Sequence, residues 1–151
     1  MDLEREEIET EEIGVKELLS RYNAGERNFT EITIFDIDDG LLRGVDLSGI
    51  NLENSHLWAD FSGAILRRVN FRYTIWNIIV WEDIDFTGSD FTGINNVVGC
   101  FFIRCNLSNT IWTKADLWQS GFVDCEEATA DFSDADFCEV NFFTGKSFFG
   151  E

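Results

Sequence analysis

From Leu42 onward a bulky apolar residue returns at every fifth position: Leu42, Leu47, Leu52 and Leu57, then, one residue early, Phe61, Leu66, Phe71, Trp76, Trp81, Phe86 and Phe91. After a second irregularity the series resumes as Phe102, Leu107, Trp112, Leu117 and Phe122, and it closes on Phe132, Phe137 and Phe142. A period of five fits neither the 3.6-residue repeat of a helix nor the alternation of a simple strand. Two places before most centres stands a small or β-branched residue, as at Val45, Ile50, Ser55, Ala64, Val69, Ser89 and Ala115. Residues two apart on an extended chain share a side, so each unit sends one large and one small side chain inward. The residue between them faces out and is often Asp or Asn, as at Asp46, Asn51, Asn70, Asp85, Asp90 and Asp116. Two places after the centre come Gly49, Gly63, Gly88, Gly93, Asn109 and Asp134, residues suited to a turn. Each unit is a short extended piece ending in a corner. Antiparallel strands of a sandwich would not keep one register through so many units without hairpin signals.

Units such as Val45-Asp46-Leu47-Ser48-Gly49, Ser89-Asp90-Phe91-Thr92-Gly93, Ala115-Asp116-Leu117-Trp118-Gln119 and Ala135-Asp136-Phe137-Cys138-Glu139 resemble the pentapeptide repeat family, whose units read Ala-Asp/Asn-Leu/Phe-X-X. The resemblance spans residues 28 to 142. It implies an all-β fold, a right-handed quadrilateral β-helix in which four units make a coil. The family is most abundant in cyanobacteria, and Glu17 to Tyr22 followed by Ala24 to Phe29 looks like the opening of many members. A 20-residue return to the same face predicts four interior columns in about five to six coils. They are Leu42, Phe61, Trp81, Phe102, Phe122, Phe142; Leu47, Leu66, Phe86, Leu107; Leu52, Phe71, Phe91, Trp112, Phe132; and Leu57, Trp76, Val97, Leu117, Phe137. Phe35 to Gly40 breaks the register and is expected to loop outward. Glu127 falls where an apolar centre is due, so local distortion or exposure is expected there.

Three segments follow: an acidic leader and capping helix over 1–25, the repeat over 26–143, and a tail over 144–151. Thr10 is placed to cap a helix with Glu11 and Glu12 in its first turn, while Val15, Leu18, Leu19 and Tyr22 form one apolar stripe and Gly25 ends it. Such a helix would close the first coil. At the other end, Phe143, Phe148 and Phe149 either fold over the last coil or pair two rods end to end as a homodimer; relatives of the gyrase-protecting type do the latter.

With inward positions explained by packing, function belongs to outward ones. Trp58, Val98 and Trp118 follow centres on one face, Ile78, Val80 and Phe101 lie around the neighbouring corner, and Tyr73 and Ile75 precede them. Together they predict an apolar ridge, a candidate protein interface. Arg67, Arg68 and Arg72 form a basic cluster on another side, read mainly as charge balance for Asp46, Asp85 and Asp90.

Composition removes several classes of function. The net charge of −18, from 29 acids and 11 bases, has the wrong sign for binding nucleic acid. No apolar run reaches the roughly 18 residues of a membrane span, and the acidic start Met1-Asp2-Leu3-Glu4 is unlike a secretion signal, so a cytoplasmic protein is expected. His56 stands alone and outward, without a nucleophile to serve or a second imidazole to share a metal. Cys100, Cys105 and Cys125 occupy the small inward slot and are expected as thiols; no Cys-x-x-Cys pair suggests zinc. Neither a phosphate-binding loop nor a dinucleotide turn is present, so no cofactor is expected. The sequence therefore points to a non-enzymatic interaction scaffold. The alternative, by analogy with some relatives, is an acidic DNA mimic that inhibits or protects DNA gyrase.

Overall fold

The computed structural model describes residues 10–36, 40–78, 80–96 and 98–144. The elements run β1 (Glu11–Ile13), α1 (Val15–Asn23), β2 (Ile32–Phe35), β3 (His56–Trp58), β4 (Ile75–Trp76), β5 (Val80–Glu82), β6 (Asn95–Asn96), β7 (Phe101–Ile103), β8 (Gly121–Val123) and β9 (Asn141–Phe143). All pairings are parallel, and they form two sheets ordered β1-β2-β3-β4-β6 and β5-β7-β8-β9. The other two sides are held by single parallel bridges, such as Asp46 to Ile65 to Asp85 to Asn106 to Glu126, and Asn28 to Asn51 to Asn70 to Asp90 to Ile111 to Asp131. The described residues form a quadrilateral β-helix of about six turns with one short helix.

The interior columns stack ring on ring. Phe71 and Phe91 lie 4.8 Å apart at 5°, Phe91 and Trp112 4.0 Å apart at 8°, and Phe102 and Phe122 4.8 Å apart at 6°. These separations approach the inter-strand spacing of about 4.8 Å, so each ring rests on the one a coil away. Trp76, Trp81, Trp112 and the aromatic rings from Phe29 to Phe122 in the centre positions are fully buried. Burying each contributes about 2–3 kcal/mol, which makes this axis the main source of stability.

The outward Asp and Asn have a structural task. Asp46, Asn51, Asn70, Asp90, Asn106, Asp116 and Asp136 each accept, through Oδ1, the backbone N–H two residues on, at 2.9–3.1 Å. That side chain closes the corner and satisfies an N–H there. The next residue then takes a positive φ, 75° at Gly49 and 69° at Gly93. Tyr73 fills the same slot at φ 56° without glycine's freedom, and its ring lies over Gly93, where a Cβ would come within 2.5 Å of it.

Four expectations change. Glu11 and Glu12 are not in a helix: with Ile13 they pair in parallel with Ile32 to Ile34, and Ile13 caps the Ile34 column. The open edge of β2 recruits this segment because a strand satisfies its backbone where a helix could not. The helix starts instead after Gly14, and the Asp36 carboxylate accepts the Val15 N–H at 2.9 Å. Its stripe does close the coil: Val15 and Leu18 are buried, and the Tyr22 hydroxyl donates to the Ser48 carbonyl at 2.8 Å.

The interior residue between Trp76 and Leu117 is Asn96, 2% exposed, because β4 fixes the register of β6 through Ile75–Asn95 and Trp76–Asn96. Val97 lies outside the described residues. The extra residue falls after position 96, and Asn96 donates to the Ser120 hydroxyl at 2.7 Å. Phe35 does not loop out but continues β2, pairing with Trp58, while residues 37–39 of the expected loop lie outside the described residues. Glu127 leaves the ladder intact: Glu126 pairs with Asn106, and Ala130 N–H donates to the Glu127 carbonyl. Glu127 is half-buried.

Candidate functional site

Outward residues of β2, β3 and β4 form two rows on one flat face. Thr33, His56 and Ile75 stand in register, and Phe35 pairs with Trp58 in the next row. The chain passes from β4 through Asn77 and Ile78 to β5, so the corner joining the two sheets lies between Trp58 and Val80. A cleft of 570 Å³ opens there, lined by Asp36, Arg43, Trp58, Asp60, Val80 and Glu82 among others.

The predicted ridge is brought together only in part. Trp58 (46% exposed) and Val80 (37%) share the cleft, and Val80 pairs with Phe101 (39%) on the adjoining sheet. The Phe101 ring lies over Gly121, where a Cβ would come within 2.7 Å of it. Val98 and Trp118 are exposed further along, and Gly99 packs beneath the carbonyls of Trp118 and Gln119. Ile75 is half-buried. Ile78 is 6% exposed and leaves the ridge, because the corner turns its side chain into the core. Tyr73 points away to the preceding corner, over Gly93. Sequence reasoning missed Phe35, whose ring stands 5.8 Å from Trp58; the alternation Ile32-Thr33-Ile34-Phe35 carried that signal. Of the predicted terminal contacts, Phe143 is half-buried in β9, while Phe148 and Phe149 lie outside the described residues.

The cleft is poor in free reactive groups. Asp60 accepts the Ser62 N–H at 2.8 Å, Asp36 caps the helix, and Glu82 pairs with Arg104. Arg104 also holds Asp83 at 2.8 Å and keeps its carboxyl below the usual range. Arg67 binds Asp85 at 2.6 Å, and Arg72 lies 3.9 Å from Asp90, so two of the three clustered arginines are engaged by acids on the next coil. Burial opposes ionisation of Asp85, yet hydrogen bonds from Thr87 and Arg67 outweigh it and hold the carboxyl low.

All four cysteines are free. Burial pushes the Cys100 thiol up to about 12, and burial likewise raises Cys105, so neither is a nucleophile at neutral pH. Among the described residues no group of three or more His, Cys, Asp or Glu could hold a metal ion. Among them, too, no helix is long and apolar enough to cross a membrane.

The model of the family of pentapeptide repeats matches this chain with eight copies, over residues 41–75 and 64–95. No curated protein matches it.

Proposed function

Because the chain belongs to the pentapeptide repeat family, a family of repeat scaffolds, we propose that it is a non-enzymatic scaffold that captures a protein partner on the ridge around Trp58. The observation that carries this reading is the exposure of Phe35, Trp58, Val80 and Phe101 side by side across one corner, on a chain whose other outward positions are largely polar. Large aromatic groups with one side free are the usual anchors of a protein interface. The rigid aromatic core holds them in place, so little ordering entropy opposes binding.

The cytoplasm is the proposed location, and four free thiols fit a reducing compartment. The reading extends to end-to-end pairing of two copies, since Phe137 and Phe142 of the last described coil are 38% and 46% exposed. Duplex mimicry ranks behind the scaffold. A mimic needs uninterrupted columns of carboxylates, and here Arg67, Arg72 and Arg104 are interleaved with Asp85, Asp90, Glu82 and Asp83.

The test is Trp58→Asp combined with Val80→Asp, both at outward positions. Capture of a partner from native lysate is expected to disappear while the far-ultraviolet spectrum and melting temperature hold. Unchanged capture refutes the ridge.

A further inference from the structure

Beside the corner cleft, the same face carries a second depression of 340 Å³, lined by Glu12, Thr33, Phe35, His56 and Trp58. Strand register builds it: Glu12, Thr33 and His56 stand side by side on β1, β2 and β3, with Phe35 and Trp58 in the next outward row. Two half-exposed aromatic rings tilted at 51° make one wall. The charge on the rim belongs to Glu12. Its neighbour Glu11 is held by Arg21 at 3.1 Å, whereas the Glu12 carboxylate is exposed and has no hydrogen bond or ion pair among the described residues. The Thr33 hydroxyl is already engaged with that of Thr10 at 2.5 Å.

We propose that this groove seats an arginine side chain of the captured partner, with its guanidinium on the Trp58 and Phe35 rings and its charge on Glu12. The inference rests on the ridge reading and names the chemistry of the partner. A planar guanidinium combines the two features the groove offers, attraction to an aromatic face and a fork that fits a carboxylate. A purely apolar side chain would fill the space but strip water from Glu12 without pairing it. An anionic ligand meets both Glu12 and a net charge of −18. Arg21, Arg67, Arg72 and Arg104 face acids of their own chain, whereas Arg43 and Arg68 are exposed without an ion pair among the described residues, so insertion by a second copy is the competing occupant that sedimentation reads.

The probe is an acetylated, amidated Gly-Gly-Arg-Gly-Gly peptide, compared with its citrulline counterpart, which keeps the shape and loses the charge. Indole N–H resonances of the ¹⁵N-labelled protein report binding, with Trp58 assigned through Trp58→Phe. The expected result is a saturable shift at Trp58 with little movement at Trp118, binding of the citrulline peptide about tenfold weaker, and a loss of about fivefold in Glu12→Gln. Equal shifts at Trp58 and Trp118 would mean diffuse attraction to an acidic surface and overturn the proposal. So would equal binding of both peptides, or no response at Trp58. A dimer in sedimentation that Trp58→Asp dissolves would assign the groove to a second copy and overturn it as well. The two readings separate cleanly. Partner capture lost in the Trp58→Asp, Val80→Asp protein but unchanged in Glu12→Gln, with no peptide response, removes the arginine seat and keeps the ridge. A peptide response with capture unaffected by the ridge substitutions keeps the seat and removes the ridge.

Discussion

The indole nitrogen of Trp112 donates to the hydroxyl of Thr110, two residues earlier, at 2.8 Å, and that hydroxyl donates onward to the Leu107 carbonyl at 2.7 Å. Trp76 and Thr74 repeat the arrangement, with Thr74 donating to the Phe71 carbonyl. The small inward slot therefore does more than make room: a threonine there lets tryptophan occupy the dry axis with its one polar atom satisfied. Trp81 has Ile79 two places before it in the sequence, and no threonine hydroxyl receives its buried indole N–H.

Thr110→Val keeps the shape of the side chain and removes the acceptor for a fully buried indole. The expected cost is about 1–3 kcal/mol in denaturant unfolding. In a Trp112→Phe background, where no indole N–H remains, the same substitution should cost clearly less. Equal costs in both backgrounds would show that the hydrogen bond contributes nothing.

Asn96 interrupts an apolar column, and its side-chain oxygen has no partner among the described residues. Replacing it with leucine, the residue found at Leu57 and Leu117 in that column, removes the orphaned acceptor. Asn96→Leu is expected to raise stability by about 1 kcal/mol, read as a higher denaturation midpoint.

Acid should loosen the corners. Hydrogen bonds from the Ser48 hydroxyl and N–H hold Asp46 below the usual carboxylate range, and Ser133 does the same for Asp131. Their folded pKa lies below the unfolded value of about 3.9, so their contribution is complete above that pH and fades as pH falls through the folded values. The melting temperature should therefore drop as the pH falls below about 4. An Asp46→Asn, Asp131→Asn protein keeps the corner acceptor, as Asn51, Asn70 and Asn106 do naturally. It should melt like the parent at pH 7 and fall less in acid. Parallel melting curves across that range would contradict the assignment.

End-to-end pairing is read by sedimentation. A dimer at micromolar concentration that becomes monomeric in Phe137→Asp with Phe142→Asp supports the terminal contact. A parent protein that is monomeric throughout removes it.

A supercoiling assay separates the scaffold from the duplex mimic. Micromolar protein is expected to leave DNA gyrase unaffected, because ion pairs such as Arg67–Asp85 break up the carboxylate columns. Inhibition at that level would reverse the ranking.

By itself the sequence determined which residues form the axis and which turn the corners. The large centre, the small slot before it and the Asp or Asn between them act within one unit, so Leu66, Phe86 or Asp90 could be placed without knowing any neighbouring coil. Only the tertiary structure decided what depends on contact between coils. Asn96 faces inward because Ile75 and Trp76 set the register of its strand, and no local rule sets it above the more apolar Val97 beside it. Glu11 to Ile13 became a strand because β2 presented an open edge, although their composition suits the first turn of a helix. Ile78 was drawn into the core by a corner, and Phe35 was set against Trp58 by the pairing of β2 with β3. Side-chain periodicity is a property of the chain, whereas register is a property of two strands, and the groove beside Trp58 exists only where three strands meet.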